Sequence, residues 1–578
     1  MGWPYEFLTL SDEDKLLRRN TLDLYAAIAH ASALLPAFLY LIFRLILARI
    51  SRPGASASDG HGEYEQVPRS PLIKARRMDS PARLAAHWSR LSWWMGSDVY
   101  FRGAHWGQRD QWVLAFAWTA WLVVLSVMGT GKDYLHLTKR LGMIAVSQLP
   151  IQYLLSLKAL NPFAWAFRSS HEHINRYHRV LGRIVYGFII AHIILYEYFF
   201  LMKGVWLRRM LQFVVLCGSG SAVAFTALFA TSTVSVMIKS YRVFFVTHLV
   251  VAFAVPAMLF IHAPPIRVYL VEALVVFLFD LATRRMGIVV APTALETIPG
   301  TNLVKASITL PSAKADRFRA LPGSHVYLSI PPAARSSEYP PSKDLIVDFM
   351  FNPFTVASVN DDNNDITLVA RTRSGPMSTF LSHHAASNGK VHLGVDGPYG
   401  ALGKHYHDLI SSKIQRVLLF AGGVGATFAL PIYQAILHDN PVAKVRLVWA
   451  IRGAGDATWA VSRDTSGQSV LADENIELFL TGDMGAGADP EISPANGDDV
   501  HLSTMHHDSR RGRYTSQHNR KRPDFDKIID TTFRQGTEET IAILVCGPAE
   551  MARDIRARVT PWVMRGRKVW WHNESFGW

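Results

Sequence analysis

Two apolar stretches of nearly the same design constrain this chain most. One runs from His178 to His192 (HRVLGRIVYGFIIAH) and the other from His248 to His262 (HLVVAFAVPAMLFIH). In each, the two histidines stand 14 residues apart. On an α-helix, 14 steps fall about 40° short of four turns, so both imidazoles leave one side, about 21 Å apart along the axis. Two such helices side by side present two imidazole pairs, one toward each face of a hydrocarbon layer about 30 Å thick. A planar iron macrocycle with two axial ligands takes such a pair, and ionisable residues inside membrane spans are rare and generally functional. His178, His192, His248 and His262 are therefore read as axial ligands of two haems that transfer electrons rather than bind oxygen. The lone His30 is read as a core residue, and His171 and His173 are left out of the ligand set.

Further stretches free of Asp, Glu, Lys and Arg complete a membrane domain. They are Leu24 to Phe43, Gln111 to Thr130, a shorter Met143 to Leu157 and Met210 to Ile238; a last span is read at about 266–283, ending in Arg284-Arg285. With the histidine helices at about 178–202 and 243–263, seven spans are expected. Residues 1–20 are polar and show no signal-peptide pattern. Residues 51–110 read as a polar loop, Gly/Ser/Pro-rich and then basic, which marks it cytoplasmic. Alternation then puts the N-terminus outside and the C-terminus inside. His178 pairs with His248 at the inner level and His192 with His262 at the outer. Lys203, Arg208 and Arg209 fall on the wrong side of this scheme.

Composition narrows the function. The net charge is +14, but Lys and Arg cluster beside the apolar spans, so no nucleic-acid partner is expected. Two cysteines, Cys217 and Cys546, exclude a disulfide framework and a thiolate iron–sulfur cluster. From about 295 the chain turns to short alternating runs (Thr301 to Leu310, Ser324 to Ile330, Leu345 to Phe349, Ile366 to Ala370), as in an antiparallel barrel. From about 414 strands alternate with helices, as in a parallel α/β sheet. A Gly-, Asp- and Ser-rich stretch at 483–520 reads as a disordered insertion.

The second half resembles the ferredoxin–NADP reductase family in several motifs taken in order. The segment Asn352-Pro353-Phe354-Thr355-Val356-Ala357-Ser358 is similar to the flavin-binding Arg/His-Pro-Phe-Thr/Ser-x-x-Ser. Asn352 departs from it, so the contact that position makes in the family does not carry over. Arg371 to Ser378 resembles an Arg-x-x-Gly-x-x-Thr segment at the flavin diphosphate, with Arg371 or Arg373, Gly375 and Ser378 as the anion site. Asp396-Gly397-Pro398-Tyr399-Gly400 matches a further family turn. Gly422, Gly423, Gly425 and Thr427 follow an apolar strand and open a helix, which suits a pyrophosphate. Cys546-Gly547-Pro548 resembles the family's Cys-Gly-Pro beside the nicotinamide, and Arg452 at a strand end suits a 2′-phosphate. Phe576, with Trp578 as second choice, matches a terminal ring stacked on the flavin.

The whole resembles the fungal ferric/cupric reductase family, relatives of the NADPH oxidases. The resemblance implies a multi-domain membrane protein with an α-helical haem domain, an antiparallel β-barrel FAD domain and an α/β parallel-sheet NADPH domain. The expected layout is a first span within 1–50, a cytoplasmic loop at 51–110, the haem domain at 111–285, the FAD domain at 295–410 and the NADPH domain at 411–578. The implied cofactors are FAD, two haem b and NADPH. Electrons are expected to pass from cytoplasmic NADPH through FAD and both haems to Fe(III) or Cu(II) outside, at the plasma membrane. An iron permease or ferroxidase partner follows by analogy only. Cys546 and Phe576 are the expected hydride-site residues, and single-electron transfer needs no general acid or base. The alternatives are a superoxide-generating NADPH oxidase and a non-catalytic membrane adaptor.

Overall fold

Three helices of the first half begin at a side chain that takes up unpaired amides of the first turn: Asp133, Ser170 and Ser240. The computed structural model describes residues 4–50, 80–102, 104–233, 236–237, 240–335, 351–360, 362–373, 375–411, 414–460, 473–482, 521–536 and 539–574. The predicted strand Leu345 to Phe349, the insertion at 483–520, Phe576 and Trp578 lie outside them. The chain divides into two compact units, one of residues 1–76 with 94–286, the other of residues 77–93 with 287–578.

In the first unit, α1 (Asp12–Ile50) opens on Asp12, Glu13 and Asp14, which complement the positive end of its dipole. Helix α2 (Ser80–Met95) belongs mostly to the second unit. A hairpin of β1 (Asp98–Phe101) and β2 (Ala104–Gln108) leads into α3 (Arg109–Val127). Asp133 caps α4 (Tyr134–Ser147), accepting from the amides of Leu135 and His136. Gln148 ends α4 and opens α5 (Leu149–Ser156), which carries Pro150 in its first turn. The first histidine helix, α6 (His171–Met202), is capped by Ser170. Then come α7 (Phe213–Thr231), the second histidine helix α8 (Tyr241–His262), capped by Ser240, and α9 (Arg267–Gly287).

Five of these helices are long and apolar enough to cross a membrane: the stretches Asp12–Ile46, Arg109–Val127, His171–Met202, Phe213–Thr231 and Tyr241–His262. Two of the seven expected spans take another form. The stretch from Met143 to Leu157 belongs to two short helices, α4 starting nine residues earlier than expected, at Tyr134. Helix α9 has the length but carries Arg267, Glu272 and Asp280. Asp280 is buried and accepts from the amides of Ala159 and Leu160, both at 2.9 Å. The apolar core of the unit gathers side chains of α1, α3, α4, α5, α6, α8 and α9, such as Leu122, Ile144, Val185, Val255 and Leu270.

The second unit contains the barrel and the sheet. Strands β3 (Val289–Thr297), β4 (Leu303–Thr309), β5 (His325–Ser329), β6 (Asn352–Val359), β7 (Asp365–Arg371) and β8 (Lys390–Tyr399) close in the order β3-β4-β7-β6-β5-β8. Every pairing is antiparallel. The alternate inward residues, among them Leu295, Ile308, Val326, Leu328, Ile366, Leu368 and Leu393, fill its core. Helix α10 (Pro376–Ala385) seals it with Met377, Phe380 and Leu381. The sheet is β11-β10-β9-β12-β13, wholly parallel, from β9 (Arg416–Gly422), β10 (Lys444–Ile451), β11 (Ile476–Leu480), β12 (Ile541–Cys546) and β13 (Val569–Glu574). Helices α11 (Ala426–Asp439), α12 (Phe525–Gln535) and α13 (Ala549–Met564) cover it. Strands buried on both faces must be apolar throughout, which is why β12 reads IAILVC.

The expected polar loop at 51–110 needs correcting at its end. Helix α2 lays Trp93 into the sheet domain's core beside Val559 and Val563. The Trp93 indole donates to Thr560 Oγ1 at 2.9 Å, and Arg556 lies over the ring at 4.2 Å while donating to the Trp93 carbonyl at 2.8 Å.

Candidate functional site

The four histidines meet in the pairs their spacing predicts. The rings of His178 on α6 and His248 on α8 stand 5.9 Å apart, centroid to centroid. His192 and His262 are near enough to interact electrostatically. Three of the four are held the same way. His178 Nδ1 bonds the Gln152 carbonyl at 2.8 Å, His192 Nδ1 the Thr138 carbonyl at 2.7 Å and His262 Nδ1 the Val214 carbonyl at 2.8 Å. A carbonyl only accepts, so each Nδ1 carries the proton and each Nε2 keeps a lone pair. That is the tautomer and orientation an iron ligand needs. His248 Nδ1 is buried without such a bond.

The helices behind the rings make room for them. A Cβ on Gly142 of α4 would stand 2.8 Å from the His192 ring, and one on Gly218 of α7 would stand 2.5 Å from the His262 ring. Both positions need the smallest residue because an imidazole backs onto them. The four imidazoles, the tautomer of three of them and the 5.9 Å ring spacing of the His178–His248 pair are compatible with bis-imidazole haem ligation.

A buried charged cluster on α1 and α4 adjoins His192. Arg140, fully buried, donates to the Leu125 carbonyl at 3.1 Å, lies 2.7 Å from His136 Nε2 and covers the Tyr25 ring at 4.1 Å. Arg18 bonds the Asp133 carboxylate at 3.0 Å. Thr138, whose carbonyl holds His192, sits between His136 and Arg140 in the chain. In sequence Arg140 reads as a charge flanking a span; only the packing of α1 and α3 on α4 shows that it is interior.

In the second unit, β6 brings Pro353, Phe354 and Thr355 to half-exposed positions opposite Tyr327, Val326 and His325, with Ser358 exposed beyond them. Asn352 pairs with Leu328 at the strand's start. Gly375 caps α10, and Ser378 Oγ accepts from the Arg373 amide at 2.6 Å. Arg371 points elsewhere. Its guanidinium reaches Asp456 at 3.5 Å and lies 3.5 Å from where a Gly423 Cβ would stand. Of the two arginines considered for the flavin diphosphate, Arg371 thus lies beside the dinucleotide turn. Gly397, in the Asp396-Gly397-Pro398 turn, lies against the His325 carbonyl and Val326 of β5, and the Tyr399 hydroxyl donates to Asp396 at 2.8 Å.

The glycine turn has the predicted geometry. Strand β9 ends at Gly422, Gly423 to Gly425 make one 3₁₀ turn, and α11 starts at Ala426, so free amides face outward at a helix N-terminus. Gly425 is pressed against the Cys546 backbone, leaving no space for a Cβ. Thr427 Oγ1 is used within the turn, donating to the Val424 carbonyl at 2.8 Å. Gly547 and Pro548 pack on Gly422. Arg452 is exposed at the end of β10.

Burial first, and then the Glu574 carboxylate, push the Cys546 thiol well above its ordinary range, so it stays neutral and shapes the pocket rather than reacting. Glu574 stands beside Cys546 in the β12–β13 register, and its Oε2 lies 2.8 Å from His572 Nε2. Glu574 opens the terminal ESFGW segment, but no role was read for it, and His572 did not stand out; Glu574's place beside Cys546 depends on the parallel pairing of β12 with β13.

Three family descriptions match the chain. Residues 141–259 match the ferric reductase like transmembrane component, 292–402 an FAD-binding domain and 414–560 the ferric reductase NAD binding domain. The chain is 24% identical over 451 residues to the probable metalloreductase AIM14 of Meyerozyma guilliermondii, covering 75% of this chain and 84% of that one. It is 21% identical over 500 residues to the protein of the same name from Scheffersomyces stipitis (80% and 86% covered). It is 24% identical over 481 residues to ferric/cupric reductase transmembrane component 2 of Schizosaccharomyces pombe (75% and 80% covered).

Proposed function

Because the chain belongs to the ferric reductase family, carrying its transmembrane, FAD-binding and NAD-binding domains, we propose that it draws electrons from cytoplasmic NADPH and delivers them across the membrane to Fe(III) or Cu(II). The observation that carries this reading is the paired imidazoles, three of the four with Nδ1 committed to a backbone carbonyl. When bound, FAD converts a hydride into single electrons and two haems relay them. His178 and His248 hold the inner haem, His192 and His262 the outer.

The remaining residues bind and orient. The amides of Gly423 to Gly425 cradle the pyrophosphate of the nicotinamide nucleotide, and Arg452 meets the 2′-phosphate that distinguishes NADPH. Pro353, Phe354, Thr355 and Ser358 line the flavin's edge, and Gly375 with Ser378 approaches its diphosphate. Gly397, Gly547 and Pro548 shape the turns around the cleft. The C-terminal domains face the cytoplasm, the protein sits in the plasma membrane, and a permease or ferroxidase taking the reduced metal is its natural partner.

The test is NADPH-supported reduction of Fe(III), Cu(II) and oxygen, offered in turn to membranes carrying the protein. Metal reduction should persist with superoxide dismutase present and oxygen removed. Loss of metal reduction under either condition identifies an oxidase instead.

A further inference from the structure

We propose that His572 is a positioning residue for proton release from the flavin, acting through the Glu574 carboxylate. The proposal rests on the function just given. A hydride is one proton and two electrons. If NADPH delivers a hydride to the flavin N5 and the downstream carriers take only electrons, one proton is left on N5 at every turnover. The N5–H bond must break, its electrons leaving toward the first haem and its proton toward solvent. Electron carriers cannot remove that proton; a base at the flavin's edge can.

Strand β13 supplies one. His572 and Glu574 are two residues apart on this edge strand and so share a face. His572 Nε2 and Glu574 Oε2 are 2.8 Å apart, with side chains 13% and 12% exposed. Glu574 is the register partner of Cys546, against whose backbone the glycine turn is pressed, and its carboxylate is close enough to help push that thiol up. The imidazole lies nearly parallel to two rings, Phe428 of α11 at 5.6 Å and Trp570 at 5.9 Å. That stacking leaves little freedom except exchange of a proton with Glu574. The other titratable groups here are Cys546, neutral through burial, and His405, whose ring is 6.5 Å from that of Trp570 and whose Nδ1 is 3.6 Å from Asp408. Glu574 takes the N5 proton, and His572 holds the carboxylate in place and passes the proton outward. One hydride enters, two electrons go to the carriers and one proton goes to solvent.

The full-length protein loaded with FAD tests this by anaerobic stopped flow. The first phase is flavin bleaching by NADPH; the second is flavin reoxidation on adding an Fe(III) chelate. His572→Gln keeps an N–H for Glu574 but cannot carry the proton. It should bind FAD normally and bleach within about twofold of the parent, while reoxidation slows on the order of tenfold or more. The parent's reoxidation rate should depend on pH, and His572→Gln should lose that dependence. Spectroelectrochemistry supplies a readout apart from turnover: the dependence of flavin potential on pH should differ between the parent and His572→Gln. Glu574→Gln should show the same split between phases. Equal slowing of both phases, reduced FAD content, or an unchanged pH profile in His572→Gln overturns the proposal. A parent flavin that NADPH does not bleach overturns the function on which the proposal rests, and the proposal with it.

Discussion

At the scale of single residues, the account turns on what stands behind each imidazole. The 14-residue spacing was legible because it is a property of one helix at a time. The carbonyls of Gln152, Thr138 and Val214, and the clearance at Gly142 and Gly218, were not, since they lie on other helices and matter only after packing. Gly218→Ala puts a methyl where the His262 ring stands. The protein should then purify with about one haem instead of two, measured by pyridine haemochrome, while the His178–His248 pair keeps its haem. His30 shows the opposite outcome: its Nδ1 bonds the Ser147 carbonyl at 3.0 Å and its Nε2 lies 3.2 Å from Glu272, the satisfied core histidine its isolation suggested.

At the scale of elements, one ion pair ties the starts of two neighbouring sheet strands. Glu539, just before β12, accepts from Arg416 at the start of β9 at 2.8 Å. The Arg416 hydrogen bond holds the Glu539 carboxyl below its usual range. A carboxylate whose folded value is depressed stabilises the fold above the unfolded value of about 4.3, and that contribution is lost as pH falls through the folded value. Melting followed from pH 6 down to 3 should therefore show a steeper acid loss in the parent than in Glu539→Gln. The pair is part-exposed, so the difference should be small.

Helix α2 is the element the sequence hid. Its arginines mark the segment as a basic loop, and nothing local shows that Trp93 has a seat between Thr560 and Arg556. Trp93→Ala should cost about 3 kcal/mol or more in the sheet domain. Hydrogen exchange should rise across residues 80–95 first. Unchanged protection there would mean that the helix does not depend on this anchor. The barrel and sheet, by contrast, were legible in part: β4, β5, β7, β9, β10 and β12 read as strands because period-two alternation and buried apolar runs are local signals, while β3, β8, β11 and β13 did not.

At the scale of the whole molecule, span counting by charge-free length overreached. Proteins can cross a bilayer with broken or charged helices when neighbours satisfy the backbone and the charges. Asp280 does so for the α5 end, and Asp133 with Arg18 for the start of α4. Among the described residues, length and apolarity therefore identify five helices, while α4 with α5 and α9 carry buried polar residues of the bundle. The histidine pairing survives this revision because it depends only on α6 and α8 and the helices behind them.

The central claim is a two-step electron ladder with an inner and an outer rung. It is tested most directly by comparing His192→Leu with His178→Leu in sealed vesicles, with NADPH supplied on the side of the flavin domain and an impermeant Fe(III) chelate on the other. In His192→Leu, NADPH should still bleach the flavin and reduce the one remaining haem, and no external Fe(II) should form. In His178→Leu, the flavin should bleach while the remaining haem stays oxidised. External Fe(II) produced by either variant at the parent's rate would contradict the ladder.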